Sequence, residues 1–194
     1  MGPGALSSNT TGSENVAIGY SALSTVTTGN SNTAIGFAAG HTGTNNLTIG
    51  SNNTLIGNLA QPSSSTVSNT VTLGNASITT LRCQVTSITA LSDARDKTDV
   101  QSIPVGLDFI KKLNPVTFTW NMRDGGKVGV KDTGFIAQEL MSAEDQAGLA
   151  EYLQLTYRDN PDKLEATQGR LIPILVKAIQ ELAAEIETLK GTNR

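Results

Sequence analysis

The chain is 194 residues long, which suits one or two small domains, and it carries a net charge of −3 with a pI near 5.1. A nucleic-acid binder needs a basic surface to neutralise phosphates, so DNA and RNA partners are excluded. One cysteine, Cys83, and one histidine, His41, leave no intrachain disulfide and no Cys- or His-rich metal site, and a Ser-His-Asp triad would depend on a distant residue, so neither a metal nor a cofactor is expected.

Cys83 reads as a small packed residue and His41 as a loop residue. The start shows no basic segment followed by an apolar run, and no stretch approaches the roughly 18 apolar residues of a membrane span, so a soluble chain with no export signal and no membrane insertion is expected. Met1-Gly2-Pro3-Gly4 leads almost directly into repeats, as a start inside a longer protein would.

Three segments share the pattern Thr-Gly-x-x-Asn-x-x-Ile-Gly, ending at Gly19, Gly36 and Gly50, and two degenerate copies follow, Asn53-Thr54-Leu55-Ile56-Gly57 and Thr70-Val71-Thr72-Leu73-Gly74. Such self-similarity marks stacked supersecondary units, each a short strand and a turn. In Val16-Ala17-Ile18, Thr33-Ala34-Ile35 and Leu47-Thr48-Ile49 two residues flank a small or polar one, so the flanking pair is expected to form the buried face of a strand. One apolar pair per rung is too little to offset roughly 1–2 kcal/mol of backbone entropy per ordered residue. The segment is therefore expected to need identical neighbours. These rungs resemble the head repeats of trimeric autotransporter adhesins and the β-helical shafts of phage tail fibres, which implies a trimeric β-helix or β-roll shaft over residues 1–91.

At Ser92 the composition changes. Glu14 and Arg82 are the only charged side chains before it, and all the rest of the 14 basic and 17 acidic residues follow. A second domain is expected over 92–194. Pro104 is expected to open a helix with Leu107, Ile110 and Leu113 on one face, which Asn114-Pro115 ends. Val116, Phe118 and Trp120 alternate as in a strand, Asp124-Gly125-Gly126 signals a tight turn toward Val128 and Val130, and Gly134 to Ile136 lead from a strand into a helix near Ala137. These elements predict a small α+β unit. A last helix is predicted from about Leu171 to Lys190, with Leu175, Ile179, Leu182, Ile186 and Leu189 at coiled-coil spacing. Ile at one core position and Leu at the other favours two strands in parallel coils, so a trimeric seam rests on the resemblance that follows.

Ser92-Asp93-x-Arg95-x-Lys97, Leu107-Asp108-Phe109-Ile110 with Leu113 to Trp120, Gly134 to Leu140, and Leu175 to Leu182 together resemble the endosialidase-type intramolecular chaperone domain of phage tailspikes and tail fibres. The resemblance covers nearly all of 92–190. It departs at Asp96, where the family commonly has an apolar residue, and over Met141 to Gln168, with a variable insertion expected around Asn160-Pro161. It implies a homotrimer that templates folding of the preceding shaft and then releases itself by cleavage between Leu91 and Ser92, in a virion tail protein assembled in the host cytoplasm alongside other phage tail proteins.

The candidate catalytic residues are Ser92, Lys97 and Asp93. A serine hydroxyl needs a base, and without a nearby histidine the available one is Lys97, neutral only if burial or neighbouring cations lower its pKa. Arg95 is such a cation. Attack on the Leu91 carbonyl is open to two routes, an N-to-O acyl shift within the same linkage or attack from a neighbouring chain, and Asp93 either orients Lys97 or Arg95 or caps a helix. The alternative function is a permanent trimeric structural or adhesive tip that binds a host surface glycan or protein without proteolysis. A glycan hydrolase is disfavoured in residues 1–91, since Glu14 is the only carboxylate there and such chemistry needs a pair.

Overall fold

In the N-terminal repeat every strand is three residues long and lies on its neighbour in parallel register. The computed structural model describes residues 2–84 and 88–192; Met1, the first residue of the opening tetrapeptide, and the chain end at Arg194 lie outside them. Contacts divide the chain into two compact units, one of Met1–Leu81, Trp120–Val130 and Asp159–Lys163, the other of Arg82–Thr119, Lys131–Arg158 and Leu164–Arg194.

Strands β1 (Val16–Ile18), β2 (Thr33–Ile35), β3 (Thr54–Ile56) and β4 (Val71–Leu73) form a four-stranded parallel ladder in that order. Val16 pairs with Thr33, Thr33 with Thr54 and Thr54 with Val71, so successive rungs are offset by 17, 21 and 17 residues. The third strand is therefore not Leu47–Ile49 but Thr54–Ile56. Leu47-Thr48-Ile49 lies on another side of the rung, where Thr27 N donates to Thr48 O at 2.8 Å and Thr48 N donates to Ser65 O at 2.8 Å. The four-residue excess in the third rung is taken up around His41 to Asn46, where Asn46 Oδ1 accepts from the N–H groups of Thr42 and Gly43. His41 is in this loop, as expected.

The buried face is also the reverse of the one expected. Ala17, Ala34 and Leu55, the middle residues, point inward, while Ile18, Ile35, Ile56, Val71 and Leu73 are exposed in the single chain. The middle residues turn inward because the rung's other sides close over them. Ala22, Leu23, Val26, Ala39, Leu47, Ala60 and Val67 supply the rest of one continuous core, so the rungs of one chain already bury apolar surface together.

Between rungs runs a column of amides. Asn32 and Asn53 are fully buried. Asn15 Oδ1 accepts from Asn32 N at 2.9 Å and Nδ2 at 3.1 Å, and Asn32 Oδ1 accepts from Asn53 N and Nδ2, both at 3.0 Å. Each Nδ2 also reaches a carbonyl, Asn32 that of Gly50 and Asn53 that of Val67. Thr70 closes the column by donating through N and Oγ1 to Asn53 Oδ1. Gly36 must be glycine: its φ is +136°, and a Cβ there would strike the Gly57 carbonyl of the next rung.

The second unit is a small α+β assembly ending in a long helix. Helix α1 (Leu107–Ile110) begins after Gly106 rather than at Pro104, and Leu107 N donates to Glu181 Oε2 at 2.7 Å. Strands β5 (Val116–Asn121) and β6 (Val128–Gly134) pair, with Val116, Phe118 and Trp120 on the more buried face as the alternation predicts. Their turn, which falls within Trp120–Val130 of the first unit, has Asp124 Oδ1 accepting from Gly126 N at 3.0 Å, and the Lys127 amine sits 4.7 Å from the Trp120 ring centre. Helix α2 (Ala137–Gln146) starts where expected, followed by α3 (Ala150–Leu153), the antiparallel pair β7 (Thr156–Tyr157) and β8 (Glu165–Ala166), and a 3₁₀ turn (Gln168–Leu171) that enters α4 (Ile172–Thr192). Phe109, Leu140, Leu153, Leu155, Leu171 and Ile174 form the core.

Asn32→Ala removes an acceptor for two buried donors and a donor for a buried carbonyl, each costing about 1–3 kcal/mol when left unpaired. Chemical denaturation of the repeat should show a loss of several kcal/mol, against about 0.5 kcal/mol or less for Asn58→Ala on the exposed side.

Candidate functional site

The described residues from Ile88 to Ser102 are all exposed, and one short element interrupts them, a 3₁₀ turn at Ala94–Asp96 that buries nothing. Asp93 caps it in extended conformation, with Oδ1 accepting from Arg95 N at 2.9 Å, and Lys97 ends it by donating its N–H to Ala94 O at 3.2 Å. This single turn folds the Lys97 side chain back on Ser92. Lys97 Nζ lies 2.6 Å from Ser92 Oγ and donates to Ser92 O at 3.2 Å. The two residues proposed as nucleophile and base are thus within direct hydrogen-bond reach, the geometry that activation of a serine requires. Leu91, whose carbonyl would be attacked, is fully exposed.

Asp93 does not reach Lys97. Its carboxylate takes a two-pronged bond from Arg95, Nε to Oδ1 at 3.0 Å and a terminal guanidinium nitrogen to Oδ2 at 2.6 Å. The Arg95 side chain, and secondarily its backbone N–H, hold the Asp93 carboxyl below the usual carboxylate range, and Asp93 in turn holds the guanidinium above its own. Arg95 is therefore not a free cation beside Lys97; its charge is matched by Asp93. Cys83, expected to be packed, is exposed in the segment leading to this site.

The seam residues behave as a face without an intrachain partner. Helix α4 turns Leu171 (from the preceding turn), Ile174 and Ala178 inward, and Glu181 on the same side holds the start of α1. Leu175, Ile179, Leu182, Ile186 and Leu189 all remain exposed, Ile179 at 64% against 1% for Ile174. The helix thus carries two apolar stripes, one used by its own domain and one not.

The pattern reading missed Glu144, a fully buried carboxylate on α2. It accepts from Leu155 N at 2.7 Å, from the Thr156 hydroxyl and from the Arg158 guanidinium at 2.5 Å. Arg158 also pairs with Asp145 at 2.8 Å, and these two carboxylates, Asp145 first, raise its pKa. The one signal available was an acidic residue four positions after Leu140, on the apolar side of α2.

An exposed Ser-Lys turn leads this α+β domain, and a helix with an exposed apolar stripe ends it. Residues 92–149 match the family described as chaperone of endosialidase. The match begins at Ser92 and takes in the motifs through Leu140; the Leu175 to Leu182 motif lies beyond it. No curated protein and no solved structure matches the chain.

Ile179 and Ile186 are exposed in the single chain, so replacing both with Asp should leave the domain's own core folded by circular dichroism. If they meet other chains, the same change should abolish any oligomer in light scattering, because an unpaired charge in an apolar seam costs several kcal/mol. Gln180→Asp with Glu187→Asp should leave the oligomer intact. A well-folded oligomer from the Ile179/Ile186 double variant would place the seam elsewhere.

Proposed function

We propose that residues 92–194 are the self-releasing assembly domain of a phage tail-fibre or tailspike protein, and that they trimerise, template the folding of the repeat shaft in residues 1–91, and are then cut off between Leu91 and Ser92. The observation that carries this reading is the 2.6 Å approach of Lys97 Nζ to Ser92 Oγ at the first residue of the matched family segment. The free stripe on α4 supports assembly, and the exposed apolar residues of the repeat, from Ile18 to Leu73, support burial of that face between chains. Among the described residues no helix is long and apolar enough to cross a membrane, which suits a virion component assembled alongside other tail proteins.

The chemistry follows from the pair. Neutral Lys97 takes the Ser92 hydroxyl proton as Oγ bonds to the Leu91 carbonyl carbon; the Leu91–Ser92 C–N bond then breaks and the lysine returns its proton to the departing amine. The resulting ester is hydrolysed by water, leaving a Leu91 carboxylate and a free Ser92. The same steps serve attack within one linkage or on a neighbouring chain.

The exposure of Ser92 and Lys97 in the single chain favours a second reading, a permanent trimer that keeps its helper domain and binds a host surface glycan or protein. Intact mass measurement separates the two. The purified chain is expected to yield residues 1–91 and 92–194 with a new N-terminus at Ser92, and Ser92→Ala, Lys97→Ala and Lys97→Arg are each expected to block this while leaving the trimer intact. Only full-length chain after prolonged incubation of an assembled trimer would refute self-cleavage; cutting that persists in Lys97→Ala would remove Lys97 as the base.

A further inference from the structure

We propose that Asp93 is the positioning residue of the Ser92–Lys97 pair: its carboxylate closes the turn that returns Lys97 to Ser92, and Arg95 serves to fix that carboxylate. This rests on the reading of Ser92 and Lys97 as nucleophile and base.

No packing holds the turn. Every residue from Ser92 to Lys97 is exposed, and the three-residue 3₁₀ run is closed by two backbone bonds at 3.2 Å, Asp96 N to Asp93 O and Lys97 N to Ala94 O. So short a run is marginal by itself, because nucleation fixes several residues for few bonds. If it opens, the five steps from Ser92 to Lys97 extend to roughly 17 Å, farther than the four-carbon lysine stem spans.

Asp93 adds three bonds where the backbone supplies two. Oδ1 accepts from Arg95 N at 2.9 Å and from Nε at 3.0 Å, and Oδ2 accepts from the terminal guanidinium nitrogen at 2.6 Å. The first is an N-cap bond, and the other two form the planar fork that arginine makes with a carboxylate. Arg95 sits at the centre of the turn, so locking both its N–H and its side chain onto residue 93 fixes the direction in which residue 97 leaves. Asp93 touches neither Ser92 Oγ nor Lys97 Nζ; it acts through the backbone between them.

Asparagine separates the two halves of this role, since it keeps the cap acceptor and loses the charged fork. Self-cleavage rates of the full chain, followed by intact mass, are expected to fall on the order of tenfold or more in Asp93→Ala and only about threefold in Asp93→Asn and Arg95→Ala, in line with the preference of caps for Asn over Ala. Unfolding midpoints should not move in any of the three variants, because the turn buries nothing. In uncut chains carrying Ser92→Ala, a nuclear Overhauser contact between the β protons at position 92 and the Lys97 ε protons should persist with Asp93→Asn and vanish with Asp93→Ala. Wild-type cleavage in Asp93→Ala, a retained contact there, or Asp93→Asn falling as far as Asp93→Ala would overturn the proposal. If the parent chain never cuts but the contact follows this order, the self-cleavage reading fails while the positioning role of Asp93 stands.

Discussion

The amide column through Asn15, Asn32 and Asn53 is the constraint on which the repeat depends. Apolar pairing cannot set its register, since the inward positions are Ala17, Ala34 and Leu55 and two of the three are a single methyl group. Each asparagine oxygen instead takes two donors from the next rung, and the Asn32 and Asn53 amide nitrogens reach buried carbonyls. A slip of one residue strands several buried polar groups per rung, at about 1–3 kcal/mol each. The column also explains how a segment almost without charge folds to one arrangement, because the specificity lies in hydrogen-bond satisfaction.

The second unit uses carboxylates in the same way. Glu144 ties α2 to the Leu155–Arg158 segment from a fully buried position, and Glu181 reaches from α4 to the first amide of α1. Both acceptors are spent on backbone N–H groups that short elements leave without an internal partner. Glu181 lies on the inward side of α4: Ile174, Ala178 and Glu181 continue one stripe from Leu171, and Leu175, Ile179 and Leu182 are turned out by the helical repeat itself. Beyond Leu182 every described residue of α4 is exposed, so the helix outruns its own domain.

Motifs that encode local geometry were legible; choices settled by other rungs were not. The β5–β6 hairpin follows from alternation and an Asp-Gly-Gly turn, and the start of α2 from the Gly134 to Ile136 exit. Leu47-Thr48-Ile49-Gly50 imitated the strand pattern, yet its residues stack beside Thr27 and Ser65, and the true rung is Gly50-x-x-Asn53-x-x-Ile56-Gly57. What decides between them is the fit of Asn53 to the Asn32 oxygen, a contact 21 residues away that no local period reveals. At the site, the spacing of Ser92 and Lys97 sets them about one turn apart, and the turn at Ala94–Asp96, capped by Asp93, brings them together. The partner of Asp93 was left open by spacing, since its carboxylate lies within reach of the Arg95 backbone and side chain alike.

The placement of the turn has a kinetic meaning on the proposed reading. A repeat whose strands expose Ile18, Ile35, Ile56 and Leu73 has apolar surface to hide between chains, and contacts between chains form slowly while strand edges stand open to wrong partners. A trimerising helix at the other end raises the effective concentration of the three repeats before their faces meet. Once those faces are covered, the helper contributes to reassembly rather than to persistence, which becomes a matter of unfolding rate. A cut site is best carried by a segment that belongs to no core, because its cleavage then costs neither unit any packing. The exposed run from Ile88 to Ser102 meets that condition, and its one ordered turn is the one that brings Lys97 to Ser92.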